Sequence, residues 1–146
     1  MPDQSSKPRT LVYRKRHRLT TDAQYRAVYE AKIRKAKGPI LIFIKPNAVP
    51  EHRLGLSVGR RVGNAVARGR IKRLLREAFR HERAGFPVPA DSQGNAAYDI
   101  IISVRPHTTL PLTAYREALV DLVGRAAREH EKRQSKATPK PDGDAK

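Results

Sequence analysis

The sequence predicts an α+β fold, in which helices pack on a small sheet. Three segments carry apolar residues at helical spacing. Three short runs have the alternating or continuous apolar character of strands, and two of them are rich in β-branched residues. The order helix, strand, strand, helix, strand, helix is typical of an α+β sandwich, for which we expect about four strands and three helices. A chain of 146 residues has room for one such domain.

The first helix is predicted from a capping box, in which Thr21 caps the helix and Gln24 reaches back to it. Tyr25, Val28, Tyr29 and Ile33 follow at helical spacing, which predicts a helix over residues 22–31 or beyond that ends at Gly38-Pro39. The runs at 40–44 (ILIFI) and 53–58 (RLGLSV) are predicted strands.

The second half of the chain repeats the alternation of helix and strand. Residues 64–83 are a predicted amphipathic helix whose apolar stripe contains Ala67, Ile71, Leu74, Leu75 and Ala78. A loop over 84–97, rich in Pro and Gly, precedes a predicted buried strand at 98–104. A last amphipathic helix is expected over 113–132.

Both ends of the chain are polar, and the domain is expected between them. Residues 1–10 and 134–146 have few apolar residues and contain Pro, a composition that predicts disordered tails. The folded domain is therefore expected over 11–133.

Charge is the strongest overall signal of function. The chain has 31 Lys and Arg against 14 Asp and Glu, a formal net charge of +17. Such an excess indicates a polyanionic partner, either nucleic acid or an anionic membrane. No apolar run approaches the roughly 18 residues that span a bilayer, and the N-terminus lacks the apolar stretch of a signal peptide. We therefore expect a cytoplasmic protein that binds nucleic acid.

The basic residues concentrate in residues 58–83, which hold nine Arg or Lys against two Glu. Arginine can bind phosphate oxygens through two donors or stack on a base. Gly59 and Gly63 bracket Arg60-Arg61 just before the predicted helix, whose positive N-terminal end would face the same anion. The alternative is an ordinary helix with a solvated basic face.

The stretch 55–77 (GLSVGRRVGNAVARGRIKRLLRE) closely resembles the signature of the bacterial ribonuclease P protein family. The family carries an Arg-Asn-Arg motif in this stretch, and here it reads Arg68-Gly69-Arg70. Arg18-Leu19 followed by Tyr25 and Tyr29 is similar to the family's N-terminal helix. The resemblance extends to Phe43 on the adjoining strand and to residues 99–102, and it covers most of 11–130.

The resemblance implies a sandwich with a left-handed crossover between two parallel strands. It also implies a subunit that assists a catalytic RNA in removing the 5′ leader of precursor tRNA by endonucleolytic cleavage. The expected contacts to the catalytic RNA are Arg60, Arg61, Asn64, Arg68, Arg70, Lys72, Arg73 and Arg76. The expected contacts to the leader are Arg14, Arg16, Arg18, Tyr25, Tyr29 and Phe43.

Physical chemistry agrees with the leader assignment, because bases of variable sequence are held well by stacking on aromatic rings along a positive groove. The alternative for the two tyrosines and Phe43 is an ordinary place in the core. No oligomer of the protein is expected in the holoenzyme.

The residues predict no catalytic or metal site in the protein itself. Cysteine is absent, and Asp22, Asp99 and Asp121 form no recognisable carboxylate pair. The five histidines show no ligand spacing, and each is expected at the surface: His17, His52, His81, His107 and His130. This absence agrees with what the resemblance implies, an enzyme whose chemistry is carried out by Mg²⁺ ions held by the RNA subunit. A structural RNA-binding protein and a protein nuclease are the two competing hypotheses.

Overall fold

The computed structural model describes residues 14–90 and 92–137. Within them, helices and strands follow in the order α1 (Asp22–Glu30), β1 (Ile33–Lys37), β2 (Ile40–Pro46), β3 (Arg53–Ser57), α2 (Ala65–Glu82), β4 (Tyr98–Val104) and α3 (Leu112–Ala137). Short 3-10 turns lie at Lys15–His17, Arg60–Val62 and Arg83–Gly85. The predicted α+β class is confirmed.

The four strands form one mixed sheet in the order β1-β2-β4-β3. β2 pairs antiparallel with both β1 and β4, whereas β3 and β4 are parallel. Two parallel neighbours need a crossover connection, and here it contains α2. The predicted crossover is thus present, and its left-handed sense stays a prediction.

One face of the sheet is covered by α2 and α3, which build the main core. Ile42, Ile44, Ile100 and Ile102 point to this side and are at most 1% exposed. They meet the apolar stripes of both helices, as the periodicity of those helices requires. Burial of this face holds α2 in place, so that its opposite side is presented to solvent.

The other face of the sheet carries α1 and the segment just before it. A second, smaller cluster joins Leu19 and Val28 to Ile101 of β4, and Tyr25 and Phe43 pack against its margin. Both aromatic side chains are half-buried. They therefore contribute to a core and still line the surface beside α1.

The sequence-based prediction for residues 31–37 was wrong, because a strand replaces the expected extension of the first helix. Lys32 takes a φ of 58°, which leaves the helical path, and Ile33 is buried in β1 opposite Ile44. Gly38, with a φ of 59°, and Pro39 form the two-residue loop of a hairpin to β2. Pairing with β2, a tertiary interaction, outweighs the helical spacing of one isoleucine.

Most of the remaining boundaries agree closely with the predictions, and the end of the last helix does not. The capping box is present, with Gln24 N–H donating to Thr21 Oγ1 at 3.1 Å and Thr21 N–H donating to Gln24 Oε1 at 3.1 Å. α3 continues to Ala137, so residues 134–137 of the predicted tail are helical. Residues 1–10 and 138–146, the rest of the two predicted tails, lie outside the described residues.

Candidate nucleic-acid interface

The solvent side of α2 carries a row of basic side chains. Arg70, Arg73 and Arg76 follow each other at intervals of three residues and are exposed, and Lys72 beside them is half-buried. Residues three apart lie on one face of a helix. The expected basic face is therefore present, with three exposed arginines on the solvent side of the helix.

The turn before α2 adds two more arginines to this face. Arg60 and Arg61 are exposed in the 3-10 turn that enters the helix. Arg68 differs from them, because its Nε donates to Gly63 O at 3.1 Å and its side chain is half-buried. Arg68 thus ties the turn to the helix, a structural role that its place in the sequence motif did not reveal.

Asn64 caps the N-terminus of α2. Its Oδ1 accepts a hydrogen bond from Ala67 N–H at 2.9 Å. Asparagine is among the preferred residues at this position, since it satisfies a backbone donor that has no partner within the helix. The structure therefore gives Asn64 a role in folding, whether or not it contacts RNA.

A groove of about 610 Å³ lies along the outer edge of β3, between α1 and α2. Tyr25 Oη accepts a hydrogen bond from Leu56 N–H at 3.2 Å, and Leu19 N–H donates to Leu54 O at 2.9 Å. These contacts satisfy edge groups that would otherwise be open to another strand. The groove is lined by Arg18, Leu19, Tyr25, Leu54, Leu56, Lys72 and Arg76.

This groove combines residues that the sequence analysis had assigned to two different RNAs. Arg18 and Tyr25 come from the N-terminal segment, and Lys72 and Arg76 come from α2. Nothing in the sequence signals that these two segments meet, because nearly fifty residues separate Tyr25 from Lys72 and the sheet alone brings them together. Three cations beside an aromatic ring suit a single nucleic-acid strand.

Tyr25 holds its place because β3 has a glycine beneath it. A Cβ atom added to Gly55 would lie 2.8 Å from Tyr25 Cζ, closer than any real contact. The ring therefore packs directly against the backbone of Gly55, a close approach that only glycine permits. Gly55 is a residue of the site that the sequence analysis passed over.

Tyr29 and Phe43 form a second aromatic position on the same face of the sheet. Their ring centroids are 4.8 Å apart with an interplanar angle of 72°, an edge-to-face contact. Tyr29 is 38% exposed, and Phe43 is half-buried. The alternative of a simple core position holds in part for Phe43, while Tyr29 remains open to solvent.

The three predicted N-terminal arginines differ in their surroundings. Arg14, Arg16 and Arg18 are all exposed. Arg16 Nε lies 2.6 Å from Glu51 Oε2, which partly neutralises its charge. Arg18 lines the β3 groove, whereas Arg14 and Arg16 do not.

Three of the five histidines are buried, which contradicts the expectation that all lie at the surface. His17, His52 and His130 are 1%, 6% and 9% exposed. His52 Nδ1 accepts a hydrogen bond from Tyr98 N–H at 3.1 Å, and burial lowers the pKa of His52 to about 4. His52 packs between Phe86 and Tyr98. The residue fills the core as an uncharged ring, which its position next to a strand did not predict.

Two further observations concern metals and membranes. Across 14–90 and 92–137, no three His, Cys, Asp or Glu side chains are grouped closely enough to hold a metal ion. No helix in the described part of the chain combines the length and apolar character that crossing a membrane requires.

Comparison with known structures defines the class of protein first. The fold is similar to that of the Staphylococcus aureus RNase P protein, in a mutant with defective mRNA degradation activity, with a TM-score of 0.65 and 25% identity. The match covers 77% of this chain and 89% of that one. The three helices and the mixed four-stranded sheet within the described residues are thus the fold of a bacterial ribonuclease P protein.

Sequence comparison then gives the family. Residues 13–127 match the Ribonuclease P family. The chain is 31% identical to the ribonuclease P protein component of Brevibacillus brevis over 112 residues, which are 75% of this chain and 82% of that protein. It is 42% identical to that of Desulfovibrio desulfuricans over 86 residues, 58% of this chain and 62% of that protein. The chain belongs to the family of ribonuclease P protein components.

Proposed function

We propose that this chain is the protein subunit of the ribonuclease P ribonucleoprotein and promotes removal of the 5′ leader from precursor tRNA. Its partners are the catalytic RNA of ribonuclease P and the precursor. The observation that carries the proposal is the groove at the β3 edge, where the aromatic side of α1 meets the basic side of α2. In this proposal the subunit acts in the cytoplasm and needs no second protein chain.

The two RNAs use neighbouring surfaces. The row Arg70, Arg73 and Arg76, with Arg60 and Arg61 in the turn, binds phosphates of the catalytic RNA. Tyr25, Tyr29 and Phe43 stack on bases of the leader, and Arg18 binds its backbone. Lys72 and Arg76 lie at the junction of the two surfaces and can contact either RNA.

The protein's side chains act by binding and positioning. Magnesium ions held by the RNA subunit would supply the activated water for attack on the phosphodiester. Neutralisation of closely spaced phosphates by the arginines lowers the amount of free Mg²⁺ that assembly requires. The tyrosines fix the single-stranded leader and so place the scissile bond relative to the RNA.

The decisive experiment is leader cleavage by a bacterial ribonuclease P RNA at low magnesium, with and without this protein. We expect stimulation that depends on both components. Arg70→Ala should weaken binding to the catalytic RNA and reduce the salt dependence by about one phosphate contact. Tyr25→Ala should weaken binding of precursor more than of mature tRNA.

Tight RNA binding without stimulation would contradict the proposal and indicate a structural RNA-binding protein. An equal loss of precursor and mature tRNA binding in Tyr25→Ala would return Tyr25 to a purely structural role. Cleavage by the protein alone would indicate a protein nuclease.

A further inference from the structure

The strand that the sequence analysis missed, β1, presents a basic surface of its own. Three of its five residues are basic, and Lys32 directly precedes it. β1 is the edge strand farthest from β3 in the sheet order. This surface is therefore separate from the turn and helix that carry the arginine motif.

The register of β1 with β2 divides these charges between the two faces of the sheet. Lys35 and Lys37 point towards α3, where Lys35 Nζ lies 3.5 Å from Glu129 Oε1 and Lys37 Nζ lies 3.6 Å from Asp121 Oδ2. Arg34 lies opposite Phe43 in the antiparallel pair. Side chains of directly opposed residues share one face, so Arg34 belongs to the face that carries α1.

Lys32 and Arg34 are exposed and, among the described residues, have no carboxylate partner. Lys32 N–H donates to Tyr29 O at 3.1 Å, which places Lys32 at the end of the helix that carries Tyr29. Arg133 donates to Ala31 O at 3.2 Å and to Lys32 O at 2.9 Å, which fixes this turn against α3. Lys32, at the end of α1, and Arg34, opposite Phe43, are thus two cations without a carboxylate partner near the Tyr29–Phe43 pair.

A hollow of about 410 Å³ continues from these residues over the outer edge of β1. Its lining includes Lys32, Arg34, Lys35, Arg125, Arg133 and one acid, Glu129. Lys35 and Arg133 pair with Glu129, and Arg125 pairs with Asp121, so the excess positive charge of the hollow comes from Lys32 and Arg34. The hollow thus favours an anionic group such as a phosphate.

Basic residues on an edge strand also prevent pairing with other sheets. Lys35 and Lys37 fit that role, because they extend along the edge and are balanced by α3. Arg34 is not required for this protection of the edge. It lies beside an aromatic pair, and a stacking ring next to a phosphate-binding cation is the arrangement that binds single nucleic-acid strands.

We propose that the leader path does not end at Phe43 but continues to β1, where Lys32 and Arg34 bind backbone phosphates of leader nucleotides beyond the one stacked on Tyr29 and Phe43. The inference rests on the proposed function. Neighbouring strands are about 4.8 Å apart, so the path from β3 to β1 crosses roughly 14 Å of sheet. Several nucleotides in an extended strand cover that distance.

The test is a series of precursor tRNAs whose leaders grow one nucleotide at a time, bound to the reconstituted RNA–protein holoenzyme. In the unmodified protein, affinity should rise with leader length and then level off. In Arg34→Gln and Lys32→Gln, the affinity should level off at a shorter leader. For the longest leader it should be about fivefold lower, the upper range for one exposed ion pair. Their affinity for mature tRNA should be unchanged.

Lys37→Gln is the matched control, since it removes the same charge from the same strand on the opposite face. Urea unfolding of each variant checks that the fold is intact. An equal loss in Lys37→Gln, or no loss in Arg34→Gln while leader length still matters, would overturn this inference alone. If leader length has no effect in the unmodified protein, the leader-binding part of the proposed function fails as well.

Discussion

At the scale of single residues, the glycines of this site have different roles. Gly55 is required by contact, because the ring of Tyr25 occupies the space that a side chain would fill. Gly69 has nothing within 4 Å of an added Cβ, so no contact requires it. The structure thus separates a glycine that shapes the groove from one that only replaces the family's Asn.

We predict that Gly55→Ala displaces Tyr25 and lowers the free energy of unfolding by roughly 1–3 kcal/mol, the usual cost of overpacking. Urea unfolding measures this loss, and Gly59→Ala, where an added Cβ meets nothing within 4 Å, is the control. In a Tyr25→Ala background the same substitution should cost much less. Additive effects of the two changes would contradict the proposed contact.

Gly69→Ala should stabilise the protein by up to about 1 kcal/mol, because glycine in a helix interior is unfavourable relative to alanine. The measurement is the urea midpoint at unchanged slope. A lower midpoint would show that the glycine is needed for a conformation other than the helix described. Unchanged RNA affinity in this variant would show that RNA binding does not need the flexibility of glycine at this position.

At the scale of elements, α2 combines three functions in one helix. One side buries an apolar stripe, the other presents arginines, and the N-terminus is capped by Asn64 next to the basic turn. The cap and the arginines lie close together in sequence. A loss of RNA binding on changing Asn64 can therefore arise from a lost contact or from a frayed helix end.

Substitution of Asn64 by serine or by alanine distinguishes a lost RNA contact from a frayed helix end. Asn64→Ala should cost about 1 kcal/mol in unfolding free energy, whereas Asn64→Ser keeps an oxygen that can cap the helix and should cost little. Urea unfolding and catalytic-RNA binding are measured on both variants. Weaker RNA binding in a fully stable Asn64→Ser protein would establish a direct contact, and full stability of Asn64→Ala would refute the cap.

At the scale of the whole molecule, the pH dependence of stability is governed in part by a buried titratable side chain, His52. The folded-state pKa of His52 is about 4 and its ordinary value is 6.5, since burial disfavours the charged ring. The unfolded chain therefore binds more protons than the folded one between these two values. The contribution of the uncharged His52 ring to the free energy of unfolding is fully present above pH 6.5 and is lost as the pH falls towards 4.

We expect this group alone to lower the free energy of unfolding by about 3 kcal/mol between pH 7 and pH 4. His52→Gln keeps an acceptor for Tyr98 N–H and should reduce the pH dependence by that amount in urea unfolding. Some pH dependence of the free energy of unfolding should remain, because burial also lowers the pKa of His17. His81→Gln, in a half-exposed position on α2, is the control. The same pH dependence in His52→Gln and the unmodified protein would contradict the assignment.

Features that depend on near neighbours in the chain could be predicted from the amino-acid sequence. The capping box at Thr21, the apolar stripe of α2 and the buried strand β4 are local signals, and each was predicted close to its observed bounds. The arginine motif on α2 was also readable, because one helix carries all of it. These features need only hydrogen bonds and side-chain spacing within one element.

Features that join distant segments of the chain depend on packing and could not be predicted from local sequence patterns. β1 has a single buried apolar residue, Ile33, and becomes a strand because β2 lies beside it. The groove exists because the sheet brings Tyr25 of α1 to Lys72 and Arg76 of α2. The burial of His52 and the position of Arg34 beside Phe43 likewise follow from packing and register, which depend on contacts between segments that no local pattern encodes.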